Sequence, residues 1–325
     1  MITRHMKWIM LLFFIFPGGC TFLNISLVQA PSPLKEHVIE GKGRPKILLL
    51  DVSGFISERE RGGTLSLGKR PSTVSQMKEA LQKAEKDENI SGVIVKINSP
   101  GGTVTASDIV YHELVKFKQE RNVPVHACIT GLGTSGGYYI ASAADKIIAH
   151  PSAITGSIGV IAIKFNIEGL LTKIGVEEET IKSGDKKDIF SPFRPNTPEE
   201  KEILQSIIDN LHVRFVDVVF AQRQGKLSRE DLEILTDGRI YTADQALASK
   251  LIDHIEYLDD TIEGMKETLG IEHARIVTYY RKGEYPGTIY SAHRGNSTSF
   301  MGLINNHSEG SSPFSGVEFL YLWNP

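Results

Sequence analysis

A glycine-rich stretch with one central serine is the part of the sequence best suited to chemistry. It reads GLGTSGG at 131–137 and lies between an apolar run and a helical pattern. Ser135 would therefore stand where a strand turns into a helix. The free N–H groups and positive dipole of a helix N-terminus suit a developing oxyanion, and the glycines permit a tight turn. The competing interpretation is that Ser135 only caps the helix.

The same stretch also matches the G-x-G-x-x-G pattern of dinucleotide-binding proteins. That pattern requires a longer helix and an acidic residue about 20 positions on, where this chain has TGSIG at 155–159. A phosphate-binding loop would need Lys and Ser or Thr where Tyr138 and Tyr139 stand. We therefore expect no nucleotide cofactor, and indeed no cofactor of any kind.

A second glycine loop, INSPGG at 97–102, also follows an apolar run and precedes a helical pattern. Its Pro-Gly-Gly turn would leave backbone N–H groups directed into open space rather than into a strand ladder. Loops at the carboxyl ends of parallel strands meet at one crevice. The two glycine loops could thus form one site, although each could also be a plain strand–helix turn.

A nucleophilic serine needs a base, and the sequence offers histidines and lysines. A Ser-His-Asp triad has no well-placed histidine among the four candidates, which are His112, His126, His150 and His212. A lysine can replace histidine where burial lowers its pKa enough to leave it neutral. Lys182, Lys186 and Lys187 crowd one segment, and composition cannot choose among them, while Asp188 beside them would favour the charged form. Ser157 could orient a lysine amine.

The elements that must position these residues alternate between apolar runs and helical patterns. Strands are predicted at 46–56, 92–99, 124–130, 146–150, 159–163 and 177–184. Helices are predicted at 72–86, 106–120, 166–174, 197–223 and 258–269, with short ones from Ser135 and Ser228. This order indicates an α/β domain with largely parallel strands.

The N-terminus has the features of an export signal. Basic Arg4 and Lys7 precede an apolar run, and Trp8–Ala30 would span about 34 Å as a helix, enough for a bilayer core of roughly 30 Å. Three outcomes stay open: an uncleaved anchor, a lipoprotein signal at Cys20, or cleavage after Ala30. In each, the bulk of the chain lies outside the cytoplasm.

Composition excludes several classes of protein. The 36 Lys and Arg residues against 39 Asp and Glu residues give a net charge of −3, without the basic excess of nucleic-acid-binding domains. Two cysteines cannot build a disulfide scaffold or a four-cysteine metal site, and we expect no metal.

Three segments of the chain resemble the signal peptide peptidase A (SppA) family. They are INSPGGTVTASD at 97–108, TSGGYYIASAADKIIAHPSAITGSIGV at 134–160 and SGDKKDIFSPFRPNTPEE at 183–200. The resemblance covers roughly 47–269 and implies a ClpP/crotonase-like fold, a repeated ββα spiral followed by C-terminal helices. It departs from the family pattern in GLGT before Ser135 and in a long polar C-terminal tail.

The resemblance implies a serine endopeptidase that degrades remnant signal peptides. Ser135 would be the nucleophile, Lys187 the general base and Ser157 the residue that orients the lysine. Gly102 and the N–H of Ser135 itself would form the oxyanion hole. Family members form homo-oligomeric rings in which the serine and the lysine come from neighbouring subunits.

We therefore predict a single-pass protein of the bacterial cytoplasmic membrane with a periplasmic catalytic domain. The expected divisions are an anchor or signal at 1–30, a linker at 31–45, a peptidase domain at 46–274 and a partly flexible C-terminal extension at 275–325. The alternative is a crotonase-like acyl-CoA enzyme, which uses the same kind of oxyanion hole without a nucleophile.

Overall fold

The computed structural model describes residues 32–60, 71–291 and 319–323. The expected anchor at 1–30 with Cys20, and the part of the extension expected to be flexible, 292–316, lie outside these residues. Within the described ranges, no helix combines the length and the apolar character needed to cross a bilayer.

The described residues form strands and helices in the alternating order expected from the sequence. The strands are β1 Lys35–Gly41, β2 Lys46–Ser53, β3 Ile90–Ser99, β4 Gly101–Thr103, β5 Val125–Thr134, β6 Lys146–Ala149, β7 Ile154–Gly156, β8 Ile161–Ala162, β9 Ile240–Thr242, β10 His254–Ile255, β11 Arg275–Tyr280 and β12 Phe319–Leu322. The helices are α1 Thr73–Glu85, α2 Val104–Arg121, α3 Gly136–Ala141, α4 Glu168–Lys173, α5 Pro198–Arg223, α6 Arg229–Leu235, α7 Ala243–Ala248 and α8 Leu258–Leu269.

One large sheet organises the described part of the chain. Its strand order is β1-β11-β2-β3-β5-β6-β10. In addition, β7 pairs with the carboxyl end of β5 on one side and with β9 on the other. The pairs from β11 through β10 are parallel, as is β5 with β7, whereas β1 and β9 pair antiparallel. A separate small sheet has the order β4-β12-β8. The predicted α/β class with largely parallel strands is confirmed.

Both faces of the large sheet are buried. Alternate residues of β2 point to opposite faces, so that Leu48 and Leu50 join the larger core under α1 and α2, while Ile47 and Leu49 pack with α8. A sheet covered on both faces explains why β2 and β3 read as nearly continuous apolar runs. The sheet is therefore a rigid platform for the loops at its carboxyl edge.

Local sequence signals set the start of α5. Thr197 accepts a hydrogen bond from the amide of Glu200, whose carboxylate accepts one from the amide of Thr197, and Pro198 occupies the first turn. This capping box supplies partners for helix amides that have none within the helix. The predicted extent of this helix, to Arg223, is confirmed.

Two segments differ from the sequence prediction. No strand forms at 177–184, where the prediction was wrong: this charged segment is exposed along its length and pairs with no strand. Conversely, β1 lies within the segment assigned to a linker, and it pairs antiparallel with β11. Lys46 ties β1 to the sheet through an ion pair with Glu36 at 2.7 Å. The division of the chain into domains stays a prediction.

A buried histidine in β5 makes the stability of the fold depend on pH. His126 is 2% exposed and its Nε2 has no hydrogen-bond partner among the described residues. Burial, assisted by the nearby charge of Lys146, lowers its pKa from 6.5 to about 4. The folded protein thus resists protonation that the unfolded chain accepts. We expect the contribution of His126 to the free energy of unfolding to be largest above pH 6.5 and to fall by on the order of 3 kcal/mol as the pH drops to 4.

Urea unfolding between pH 7.5 and 4.5 measures this dependence. His126→Leu should flatten the curve of unfolding free energy against pH, because it removes the titrating group. His273→Gln, at an exposed position, is the matched control and should leave the slope unchanged. Equal slopes for wild type and His126→Leu would show that His126 does not carry this pH dependence.

Candidate active site

Ser135 occupies the sharp turn between β5 and α3 in a strained backbone conformation. Its φ of 53° and ψ of −115° lie outside the regions that residues with a Cβ readily adopt. The side chain is 1% exposed, and its Oγ has no hydrogen-bond partner among the described residues. Ser135 caps no helix amide, so the interpretation as a simple helix cap is wrong. A buried hydroxyl without a partner is costly, and such sites are typical of reacting groups.

A second strained serine stands beside it. Thr134 of β5 pairs with Gly156 of β7, so the residues that follow, Ser135 and Ser157, leave neighbouring strands side by side. The Ser135 amide donates to the Gly156 carbonyl at 2.7 Å, and the Ser157 amide donates to the Arg239 carbonyl at 2.7 Å. Ser157 has a φ of 51° and is 7% exposed. The strand register therefore brings together two of the predicted site residues.

The two glycine loops meet as the sequence predicts. A methyl group placed on Gly101 would lie 2.9 Å from the amide nitrogen of Gly136, and one on Gly136 would lie 3.2 Å from the amide nitrogen of Gly102. On Gly102, a methyl group would overlap the Ile56 carbonyl at 1.9 Å. No Cβ fits between these segments, so the loops approach through backbone alone.

The amide of Gly102 faces away from its neighbour Ile56. Ile56 donates to the carbonyl of Gly101 and accepts from the amide of Thr103. In a parallel bridge of this kind, Gly102 lies between the two residues that hydrogen-bond to Ile56, so its own N–H points to the opposite edge of the strand. The amide of Gly102 therefore points to the side of the small sheet, where β4 pairs with Tyr321 of β12. An oxyanion hole needs a backbone amide that points into the cleft in this way.

The amide of Ser135 does not fit the other oxyanion-hole role that the resemblance implies. It already donates to Gly156 within the β5–β7 ladder. The next amide, that of Gly136, is the first of α3 and has no intrahelical acceptor. The geometry therefore favours the amide of Gly136 as the second donor. The sequence signal for Gly136 is its place as the first helical residue after Ser135.

The three candidate lysines have different surroundings. Lys182 pairs with Asp188 at 2.8 Å, and Lys186 pairs with Glu199. Lys187 is exposed, and none of the ion pairs within the described residues involves its amine. Since the Oγ of Ser135 has no partner, Lys187 does not contact it within one chain.

Arg194 changes the electrostatics around these lysines. Its guanidinium hydrogen-bonds both Asp188 and Glu200, and with Lys182 it holds the pKa of the Asp188 carboxyl well below its usual range. The cationic partners of Asp188 are thus Arg194 and Lys182, and not Lys187. Lys164 donates to the carbonyls of Ile189 and Arg194 and so fastens the segment that carries Lys187 to β8.

None of the histidines considered as a base hydrogen-bonds Ser135. His126 is buried in β5, His150 contacts Ser152, and the remaining two lie in α2 and α5. Among the described residues, no group of three His, Cys, Asp or Glu side chains could hold a metal ion. The strained, buried Ser135 and the nearby backbone of Gly102 and Gly136 suit a serine nucleophile with a backbone oxyanion hole.

Comparison with known proteins identifies the family. The profile of peptidase family S49 matches residues 117–272, and that of Clp protease matches residues 67–155. A candidate signal peptide peptidase SppA of Enterococcus faecium is 34% identical over 245 residues, which are 75% of this chain and 70% of that relative. The chain belongs to peptidase family S49.

Further relatives of this S49 chain are named as proteases. A candidate protease of Synechocystis is 36% identical, over 72% of this chain and 78% of its own. Protease 4 of Haemophilus influenzae is 30% identical over 73% of this chain, which spans 36% of that longer relative. Among solved structures, a membrane-bound stomatin-specific protease aligns with a TM-score of 0.43 at 15% identity, over 68% of this chain and 85% of its own.

The family matches confirm the resemblance to SppA proteins and the ClpP-like α/β fold. The S49 chain is a peptidase of the serine type. The roles of Ser135, Lys187, Ser157 and Gly102 stay predictions at this point.

The strained conformation of Ser135 makes a prediction that does not depend on catalysis. Glycine adopts a positive φ freely, whereas alanine keeps the Cβ that causes the strain. Ser135→Gly should therefore be more stable than Ser135→Ala by about 1 kcal/mol. Chemical denaturation of both variants measures the difference.

Ser142, a buried serine at the end of α3 with a φ of −67°, is the matched control. There the order should reverse, with Ser142→Ala more stable than Ser142→Gly, because a helical φ favours alanine. If alanine is more stable than glycine at position 135 as well as at position 142, the backbone of Ser135 is unstrained.

Proposed function

We propose that this chain is a membrane-anchored serine endopeptidase with a Ser135–Lys187 dyad that degrades remnant signal peptides. The single observation that carries the proposal is the Oγ of Ser135, which is buried without a hydrogen-bond partner among the described residues, on a strained residue next to the loop that carries Gly102. Ser135 attacks the peptide carbonyl, and the amides of Gly102 and Gly136 stabilise the developing oxyanion.

The base requires a second subunit. An exposed ammonium is charged at neutral pH and cannot accept the serine proton, so Lys187 must be buried to act. Among the described residues nothing covers the Lys187 side chain, which is exposed. We therefore place Lys187 of one subunit against Ser135 of its neighbour in a homo-oligomeric ring, with Ser157 orienting the amine.

The surface around Lys187 has the character of a subunit interface. Apolar side chains on the segment from β8 to Lys187 are exposed, and Ile181 is 94% exposed. Its companions on this surface are Phe165, Leu170, Ile174 and Val176. Several large apolar groups on one segment favour contact with another protein surface, and a second copy would cover them while burying Lys187.

Anchoring rests on the sequence of the N-terminus. The basic residues Arg4 and Lys7 and the apolar run after them are typical of an export signal, and placement outside the cytoplasm follows from that pattern. The name of the Enterococcus faecium relative, a signal peptide peptidase, supports the same substrate class.

Removing either member of the dyad should abolish peptide hydrolysis. We expect Ser135→Ala and Lys187→Ala each to lower kcat by at least about 10³-fold, and the double variant to be no worse, because the two groups act as one unit. Lys186→Ala is the matched control and should keep most of the activity, since Lys186 pairs with Glu199. Initial rates on a fluorogenic apolar peptide provide the measurement. If Lys186→Ala loses most of its activity while Lys187→Ala stays active, the base is Lys186 and not Lys187.

Mixing the two inactive variants tests the shared site. Subunits carrying Ser135→Ala and Lys187→Ala, unfolded and reassembled together, should regain activity at about a quarter of the sites, where an intact serine meets an intact lysine. Native mass spectrometry establishes whether mixed rings have formed. Mixed rings without hydrolysis would place both residues in one subunit.

A further inference from the structure

The segment that carries Lys187 depends on side chains for its position. Within the described residues, the stretch 174–197 between α4 and α5 forms neither helix nor strand. Its main chain makes turns, such as the bond from the Lys187 amide to the Gly184 carbonyl at 3.0 Å. A general base must stand within about 3 Å of the group whose proton it removes. A loop that carries a base therefore needs anchors outside its own turns.

The guanidinium of Arg194 joins two carboxylates, one of which follows Lys187 directly in the chain. Its Nε and Nη2 donate to the two carboxylate oxygens of Asp188 at 2.8 and 2.7 Å. Its Nη1 and Nη2 donate to the two carboxylate oxygens of Glu200 at 2.8 and 2.6 Å. Planar, bidentate contacts of this kind fix geometry as well as charge, and the point charge of a lysine cannot reproduce them.

Glu200 supplies the fixed end of this bridge. It lies in the first turn of α5, its side chain is 1% exposed, and it accepts a hydrogen bond from the Thr197 amide at 2.9 Å. At the other end, the side chain of Asp188 is 14% exposed. Arg194 therefore ties the residue after Lys187 to the start of a long helix, through carboxylates that are largely shielded from solvent.

The charged groups that face Asp188 are balanced without the Lys187 amine. Asp188 has two cationic partners, Lys182 at 2.8 Å and Arg194 at 2.7 Å. Arg194 in turn holds the second carboxylate, that of Glu200, at 2.6 Å. Two cations thus face two carboxylates, and the Lys187 amine takes part in none of the ion pairs within the described residues.

The other charged groups near this cluster do not replace Arg194. They are Lys186, which pairs with Glu199, Lys164, which donates to main-chain carbonyls of the segment, and Asp185, which is exposed. A carboxylate without a cationic partner favours the charged form of a nearby amine. The partners of Asp188 therefore bear on whether the Lys187 amine can lose its proton.

We infer that Arg194 is a positioning residue for the general base: its guanidinium fixes the main chain at Lys187 to α5 and keeps the Asp188 carboxylate away from the Lys187 amine. The amine can then lose its proton when a neighbouring subunit buries it. This inference rests on the proposed function, in which Lys187 is the base. Because Arg194 acts through Lys187 and not on the substrate, its loss should change kcat more than KM.

The pH dependence of peptide hydrolysis tests this role, because an anchor with a merely structural role would not move it. In Arg194→Gln, the Asp188 carboxylate loses a cationic partner and can hold the proton of Lys187. Rates of the full-length protein are measured between pH 6.5 and 10. We expect kcat at pH 7.5 to fall about tenfold or more with KM within about twofold of wild type. The rising limb of kcat against pH should move upward by about one pH unit.

Two companion variants separate charge from position. Adding Asp188→Asn to Arg194→Gln removes the carboxylate, so the rising limb should return to its wild-type pH while kcat stays low. Arg194→Lys keeps a positive charge without the planar fork, so it should lower kcat and leave the limb in place. Arg229→Gln is the matched control, because Arg229 of α6 pairs with Asp217 of α5, and it should leave both kcat and the limb unchanged.

Native mass spectrometry and thermal unfolding establish that each variant is folded and assembled. An unmoved limb in Arg194→Gln, or a shift that Asp188→Asn does not reverse, would overturn the inference. If Arg194→Gln does not assemble, Arg194→Lys decides the question: a lowered kcat at wild-type KM supports the inference, and a wild-type kcat overturns it.

The dyad variants keep this inference separate from the proposed function. If Ser135→Ala and Lys187→Ala are inactive while Arg194→Gln behaves like Arg229→Gln, the dyad stands and the role of Arg194 is rejected. If Lys187→Ala keeps wild-type activity, the dyad itself is rejected, and the inference with it.

Discussion

The candidate site depends on a backbone contact that leaves no room for side chains. The loops at Gly101–Gly102 and Gly136 approach so closely that a methyl group on Gly101 would lie 2.9 Å from the amide nitrogen of Gly136, and one on Gly136 would lie 3.2 Å from the amide nitrogen of Gly102. Because backbone meets backbone, two amides stand beside one serine. Any larger residue would separate the loops and with them the donors.

The large sheet holds this contact in place against local strain. Ser135 and Ser157 both have positive φ, which costs on the order of 1–3 kcal/mol each. The register of β5 with β7 fixes both, through the bond from the Ser135 amide to the Gly156 carbonyl. The apolar packing on both faces of the sheet offsets that cost and holds Ser135 in its strained conformation.

Local signals in the sequence account for much of this arrangement. Apolar periodicity and helix caps place the main strands and helices, and the glycine loops at 97–102 and 131–137 mark the site because both follow strands of one parallel sheet. Such signals depend on neighbouring residues only. The boundaries of α5 and α8 follow from their caps for the same reason.

Features that depend on distant pairing could not be read from the sequence. β12 pairs with β4 across more than 200 positions, and β1 pairs with β11 in the same way. The segment 177–184 has a strand-like pattern but no strand to pair with. The amide of Ser135 donates to the Gly156 carbonyl, so the geometry favours the amide of Gly136 as an oxyanion donor. Among the described residues the exposed Lys187 does not contact Ser135, and a sequence read alone does not reveal contacts between subunits.

The central claim, that Ser135 is a nucleophile activated in the assembled protein, is tested most directly by a fluorophosphonate probe with mass-spectrometric mapping of the modified residue. The full-length protein should be labelled at Ser135 alone, and dissociation into monomers should abolish the labelling. Labelling at another serine, or none at Ser135 in the intact assembly, would contradict the account.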